Sequence, residues 1–256
     1  MRVACLQFDI AWEDKPANFA RVRKLLGRSR IPRGSLVILP EMFATGFSMN
    51  VARTAERTGG ETEQFLAEAA RESGVFLLGG LVRTAPGGRG RNEAVGFDPR
   101  GRRIARYAKR HLFARGGETE RRHVPGRRTV TFRWGDFMVA PVICYDLRFP
   151  ETCRAAVRRG ADLLIVIANW PAARADVWRT LLRARAIENQ AYVAGVNRLG
   201  CDPKETYDGG SLLIGPKGDI LADGGRKEGM ISAEFRPAEI RTWRREFPAL
   251  IPDSIE

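Results

Sequence analysis

Apolar and polar residues alternate along residues 3–10 with the two-residue period of a strand. From residue 15 to residue 28 the apolar positions Phe19, Val22, Leu25 and Leu26 fall at helical spacing. In residues 61–73, Phe65, Leu66 and Ala69 share one helical face. Continuous apolar runs at 35–39, 74–83 and 163–168 predict buried strands. Further strands are expected at 94–97 and 104–112, paired through a Pro-Arg-Gly turn, and at 129–132, 137–144, 192–196, 211–214 and 230–235. Helices are expected at 151–159 and 176–190, the second offering Val177, Leu181, Leu182, Ala184 and Ile187 for packing. Strands alternate with helices and hairpins are mixed in, which predicts an α/β fold with helices packed on a mixed sheet. No repeat, low-complexity tract or linker interrupts the pattern, so one domain over residues 1–256 is the simplest expectation.

Composition narrows the class. Of 256 residues 44% are hydrophobic, enough for a sizeable core and against disorder. No run approaches the ~20 apolar residues of a membrane helix. The opening MRVACLQFDI lacks the pattern of a secretory signal, and a cytoplasmic location is expected. A net charge of +13 raises a nucleic-acid partner as an alternative, which would show as salt-sensitive retention. The arginines are scattered, however, and only six of the 43 basic residues are lysine, so arginine is this chain's habitual cation. Cys5, Cys144, Cys153 and Cys201 form no C-x-x-C pair and there are two histidines, which argues against a zinc site and leaves four free thiols.

Three residues stand out. Cys144 ends an apolar run and precedes Tyr145, Asp146 and Arg148, a charged cluster where a core cysteine would have apolar neighbours. A strand-to-helix turn projects a nucleophile beside backbone N–H groups that can hold an oxyanion. A nearby cation is expected to favour thiolate and make Cys144 the one fast-reacting thiol. Lys109 appears where the chain habitually uses arginine, and lysine is a compact cation that can change protonation when desolvated. Glu41 closes an apolar run and enters an apolar segment, where a carboxylate needs a partner and can serve as a general base. His111 offers a competing Cys-His dyad, since residues 109 and 111 of a strand share a face. His123, flanked by Pro and Gly, is expected in an exposed loop.

The segments LPEMFATGF, YAKRHLF and VICYDLRFPE resemble the three signature motifs of the nitrilase, or carbon–nitrogen hydrolase, superfamily. The order Glu41, Lys109, Cys144 and the spacings of 68 and 35 residues also fit. Agreement continues through ANWPAARADVWRTLLRARAIENQAYVAGVNRLG and YDGGSLLIGPKGDIL and covers nearly the whole chain. The resemblance is closest to the ω-amidase-like branch, which includes YafV-type and Nit2-type amidases. The resemblance implies a four-layer α-β-β-α sandwich, a Glu-Lys-Cys triad and a second positioning glutamate, for which Glu118 is the better match counted forward from RHLF and Glu120 the fallback, since counting back from Gly126 leaves the choice open. It implies an oxyanion held by Lys109 and the Tyr145 N–H, no metal or organic cofactor, and a homodimer or larger homo-oligomer. The expected partners are a small-molecule amide and water, with no nucleic acid and no membrane. The reaction expected is hydrolysis of a small amide, an ω-amide of a 2-oxo dicarboxylic acid. An N-carbamoyl amino acid hydrolase or an N-acyltransferase of the same superfamily is the alternative. Arg148 and Arg174 are candidates for a substrate carboxylate, and Phe43, Trp170 and Trp178 for an aromatic pocket. Ala108, often Asp in the family, and Gly210 depart from its pattern.

Overall fold

The computed structural model describes residues 1–119 and 122–250. The first half runs β1 (Arg2–Gln7), α1 (Lys15–Arg28), β2 (Leu36–Ile38), α2 (Val51–Thr54), β3 (Ala55–Glu56), α3 (Glu61–Ser73), β4 (Phe76–Ala85), β5 (Arg89–Phe97) and β6 (Arg103–Ala108). The second runs β7 (Phe132–Trp134), β8 (Phe137–Ile143), α4 (Pro150–Arg158), β9 (Leu163–Ile167), α5 (Ala175–Asn189), β10 (Tyr192–Val196), β11 (Leu199–Cys201), β12 (Thr206–Asp208), β13 (Leu212–Ile214), β14 (Ile220–Asp223), β15 (Gly229–Glu234) and α6 (Pro237–Glu246). Helices α1 and α3 keep the boundaries their periodicity predicts, because both have local stop signals. The Asp14 side chain caps α1 by accepting from the Ala17 N–H, and Gly74 ends α3 at φ 65°.

Two sheets form. One has the order β15-β1-β2-β4-β5-β6, with β3 beside β4; the other has the order β14-β13-β10-β9-β8-β7. Each is built on three parallel strands, β1-β2-β4 and β8-β9-β10, flanked by antiparallel ones. The period of two in β1 explains the stacking. Val3 and Cys5 join the core shared by the two sheets, while Ala4 and Leu6 join the core under α1 and α3. On the outer face of the second sheet, Cys153 and Ala156 of α4 and Trp178, Leu182 and Ala186 of α5 complete the cover. The layers are therefore α-β-β-α. All five residues of β9 are buried, as a strand covered on both faces requires, at roughly 1.5–3 kcal/mol per large apolar side chain.

Several expectations are corrected. The strand expected over 104–112 ends at Ala108, because the N–H groups of Arg110 and His111 turn to the Asp146 carboxylate. Residues 109 and 111 are thus not alternate positions of one strand. The strand expected at 129–132 lies at Phe132–Trp134. Helix α5 packs through Trp178, Leu182 and Ala186, with the expected Val177 and Leu181 partly buried against the same core, whereas Ile187 is exposed. Elements α2, β3, β11, β12, β14 and α6 carry no apolar pattern strong enough to predict them. No helix among the described residues is long and apolar enough to cross a membrane. The C-terminal ends of parallel strands β2, β8 and β9 deliver Glu41, Cys144 and Asn169 to one place, the edge where α/β sheets bind ligands.

Candidate active site

Glu41 follows β2 through Leu39 and Pro40 and lies against β4. A Cβ on Gly80 would sit 2.7 Å from the Glu41 Cα and 2.6 Å from the Met42 nitrogen, so only glycine permits the approach. Glu41 is fully buried, and both its carboxylate oxygens are used. Oε1 accepts from Lys109 Nζ at 3.0 Å and Asn92 Nδ2 at 2.7 Å, and Oε2 accepts from the Asn169 N–H at 2.8 Å. Lys109 leaves β6 with its own N–H on the Asn92 carbonyl. Its ammonium bridges Glu41 and Glu118, the latter at 2.5 Å. Glu118 is also fully buried and accepts from Asn92 Nδ2 at 2.8 Å and the Phe113 N–H at 3.0 Å. Glu120 lies outside the described residues. Asn92, which the sequence analysis did not single out, thus ties the two glutamates together; it stands among charged residues, where its polarity gave no contrast.

Cys144 is the first residue of a single 3-10 turn, Cys144–Arg148, directly after β8. Its φ of 46° is left-handed, a conformation that residues with side chains hold chiefly at functional sites. Beneath it, Asp146 is fully buried rather than part of a surface ion pair. Asp146 Oδ2 accepts from the Tyr107 hydroxyl at 2.7 Å and the Ile143 N–H, and Oδ1 from the N–H groups of Arg110 and His111. Asp146 therefore locks the Cys144 turn to the Lys109 segment. His111 Nδ1 also lies 2.8 Å from Asp146 Oδ1, and its ring stacks on Phe149. The histidine braces the turn through Asp146 and makes no hydrogen bond to Cys144. The Cys144 Sγ lies 3.9 Å from the Asn169 carbonyl. In a 3-10 turn the leading N–H groups have no partner within the helix, and that of Tyr145 is among them.

The electrostatics correct the expectation of a resting thiolate. Burial and then the charge of the Glu41 carboxylate push Cys144 well above the usual thiol range, against the pull of Lys109. Burial also works against charge on Lys109, but Glu118 and Glu41 outweigh it and hold the lysine above its usual value. The site at rest is a protonated thiol beside a permanent ammonium. Cys144 is also not the most accessible thiol: Cys201 is exposed, whereas Cys5 and Cys153 are buried, the latter pushed up to about 12 by burial. Among the described residues no cluster of three or more His, Cys, Asp or Glu could hold a metal ion.

A cavity of about 390 Å³ opens over Cys144. Its wall contains Tyr145, Trp170, Phe47, Phe113 and Tyr207, with Trp12 at the rim. Among the described residues, Arg115, Arg148, Arg174 and Lys204 line it against only two carboxylates, Asp202 and Glu205. Arg148 lies over the Trp170 ring at 5.3 Å and, among the described residues, has no hydrogen-bond or ion-pair partner. Arg174 Nη2 is buried without a hydrogen bond, 3.6 Å from Glu205. Two expected wall residues are elsewhere. Left-handed Met42 (φ 44°) turns the chain so that Phe43 packs with Phe19 and Phe65 under the helix layer. Trp178 is buried behind Trp170, donating its indole N–H to the Gly210 carbonyl at 2.8 Å. His123 is also not exposed: it is fully buried against Gly90, with both ring nitrogens unbonded.

The carbon-nitrogen hydrolase family profile matches residues 2–245. A 2-oxoglutaramate amidase of Bacillus subtilis is 34% identical over 250 residues, covering 96% of this chain and 95% of that protein. The omega-amidase YafV of Yersinia enterocolitica is 37% identical over 253 residues, covering 97% and 95%. The crystal structure of XC1258 from Xanthomonas campestris, a CN-hydrolase superfamily protein with an arsenic adduct in its active site, superposes with a TM-score of 0.92 at 34% identity, covering 100% of this chain and 98% of that one. With the profile spanning nearly its full length and the sandwich shared, this chain belongs to the carbon–nitrogen hydrolase family.

Proposed function

We propose that this enzyme is an amidase for small amides whose far end carries a carboxylate, the ω-amides of 2-oxo dicarboxylic acids. The observation that carries the reading is one continuous site: Cys144 backed by Glu41 and Lys109, opening into a cavity where Arg148, among the described residues, has no carboxylate partner. Glu41 takes the thiol proton as the sulfur attacks the amide carbonyl. The Lys109 ammonium and the Tyr145 N–H stabilise the oxyanion. The C–N bond breaks, the nitrogen leaves as ammonia with the proton from Glu41, and a Cys144 thioester remains. Water, deprotonated by Glu41, attacks the thioester and releases the carboxylic acid and the thiol. Glu118 and Asn92 hold Glu41 and Lys109 in register throughout. The amide and water are the only reactants this sequence needs, and the names of the relatives from Bacillus subtilis and Yersinia enterocolitica agree with the substrate class.

The test compares kcat/KM for 2-oxoglutaramate or succinamate with butyramide, a neutral amide lacking the carboxylate. A charged hydrogen bond is typically worth ~1.5–3 kcal/mol, so discrimination of about tenfold or more is expected. Equal rates would overturn the carboxylate preference, and no ammonia from any amide would overturn the amidase reading.

A further inference from the structure

The catalytic steps leave one fully buried cation unexplained. Arg198, just after β10, is 0% exposed. Its Nε donates to the Leu199 carbonyl at 2.8 Å. Its Nη2 donates to the Cys201 carbonyl at 2.9 Å, and to the Ile10 carbonyl and Asp9 Oδ1 at 3.0 Å each. The guanidinium lies over the Tyr207 ring at 4.6 Å, and its Nη1 is buried with no hydrogen bond. A buried charge whose one ion-pair partner among the described residues is half-exposed Asp9 is an expensive way to fill space; an apolar side chain of similar volume would do so at less cost. What the guanidinium adds is a link between two distant chain segments.

Each segment carries a rim of the cavity. After Asp9 and Ile10, the β1–α1 connection presents Trp12, which is 37% exposed. The connection is rigid on its inner side: Ala11 and the Asn18 side chain exchange two bonds of 2.8 Å, and the Glu13 N–H donates to the Thr45 carbonyl. The indole rests on Gly46, where an added Cβ would stand 3.1 Å from the ring, and Gly46 has φ +72°. The β11–β12 hairpin presents Lys204 and Tyr207. Asp202 closes its turn by accepting from the N–H groups of Lys204 and Glu205, and from the Tyr207 hydroxyl at 2.5 Å. Backbone links the segments by the Leu199 N–H on the Phe8 carbonyl and a short bridge between Asp9 and Leu199. Arg198 extends that link to Ile10 and Cys201, one step closer to each rim.

We propose that Arg198 is a positioning residue for substrate recognition: it fixes the gap between Trp12 and the Lys204 hairpin, through which the part of the amide remote from Cys144 is held. This rests on the amidase reading, and it assigns Trp12 and Lys204 to contact with that remote part.

The test uses the full chain with Arg198→Lys, which keeps the charge and loses the fork. KM for succinamate should rise roughly tenfold or more, as misplacement of substrate-positioning groups does, while kcat at saturation changes less than about threefold. Trp12→Ala should raise KM similarly, and the double variant should fall well short of the product of the two, because both act on one gap. Hydrogen exchange should quicken in residues 9–13 and 199–205 together in Arg198→Lys and not around Cys144. Asp9→Ala, at a half-exposed residue, should give a smaller version of the same pattern and carries the test if the lysine variant does not fold. An unchanged KM, a fall in kcat alone, multiplicative effects, or faster exchange in only one segment would overturn the proposal. Exchange needs no substrate, so an absence of amide turnover in the unmodified enzyme counts against the amidase reading alone.

Discussion

The floor of the cavity and its mouth handle charge in opposite ways. On the floor, Lys109 is wholly buried between Glu41 and Glu118, and every carboxylate oxygen of the two glutamates accepts at least one hydrogen bond. At the mouth, Arg148 is exposed over the Trp170 ring with no ion-pair partner among the described residues, and Arg174 has one unbonded nitrogen. The same kind of charge does two jobs. A paired cation in a dry site has a fixed position and a fixed charge, and it can stabilise a developing oxyanion without reorganising. An unpaired cation in a half-wet wall remains available to a ligand's carboxylate. The difference teaches that chemistry and selectivity are separable here. Changes on the floor should act on turnover for every amide, and changes at the mouth on the choice among amides.

The largest effect expected is that of Cys144→Ala. If Cys144 is the nucleophile proposed above, its removal costs on the order of 10⁵–10⁶ in kcat, and ammonia release should vanish for charged and neutral amides alike while the unfolding transition stays in place. Alkylation separates the thiols as well. Iodoacetamide should label exposed Cys201 first without loss of activity, and activity should fall only as Cys144 is modified. Inactivation that tracks Cys201 would break the assignment of the floor. Next comes Lys109→Arg, which keeps the charge but brings a broader planar group between two glutamates. A loss of about 10²–10³ in kcat is expected for all substrates. Lys109→Met should go further and destabilise the fold by about 3–5 kcal/mol, because it leaves two buried carboxylates without their cation. A near-normal kcat in a folded arginine variant would show that the floor tolerates a loosely placed charge, and the contrast with the mouth would fail.

The sequence made the floor more legible than the mouth for physical reasons. Glu41, Lys109 and Cys144 each contradict their surroundings, an acid after an apolar run, a lysine in an arginine-rich chain, a thiol beside charges, and contrast of that kind survives in one dimension. Asn92, between Arg91 and Glu93, lacks it, and Asp146 reads only as one member of the charged cluster after Cys144, yet the structure hangs both glutamates on the first and the Cys144 turn on the second. Phe43 and Trp178 misled because an aromatic near a catalytic motif can face either side of a sheet or helix, and here left-handed Met42 and the Trp178–Gly210 bond decide. The fold follows the same logic. The α1 and α3 helices have both periodicity and caps, whereas α6 buries only Ile240 and the β11–β12 hairpin only Tyr207. Such elements are held by partners remote in sequence, and no local pattern records them.

At the mouth the expected effects are smaller and selective. Arg148→Ala should lower kcat/KM for succinamate by about tenfold, the low end for loss of a charged hydrogen bond, and leave butyramide nearly unchanged. The ratio between the two amides, rather than either rate, is the quantity to follow. If both rates fall together, Arg148 supports the nucleophile turn and belongs with the floor. If neither changes and Arg174→Ala shifts the ratio instead, the carboxylate sits on the other arginine and the contrast stands, sharpened.

The smallest effect tests an exception on the floor itself. His123 is as buried as Lys109, but neither ring nitrogen is bonded, and its surroundings are Glu118, Lys109 and Arg122. Burial lowers its pKa below the usual 6.5, with Lys109 and Arg122 adding to the effect and Glu118 opposing it. The sign follows from linkage. Above about 6.5 the folded and unfolded chains both carry a neutral imidazole, and His123 adds no pH dependence. As pH falls below that value the unfolded chain takes the proton more readily than the folded one, so stability drops on the acid side. Urea unfolding between about pH 7.5 and 5, above the ordinary carboxylate range, should therefore show a decline in the unmodified protein that is flatter in His123→Leu. The leucine variant, which buries no unbonded nitrogen, should lose little or nothing at pH 7.5. An equal decline in both proteins would assign the acid sensitivity to other groups. A large loss at neutral pH would mean that the imidazole does more for the loop carrying Glu118 than its missing hydrogen bonds imply.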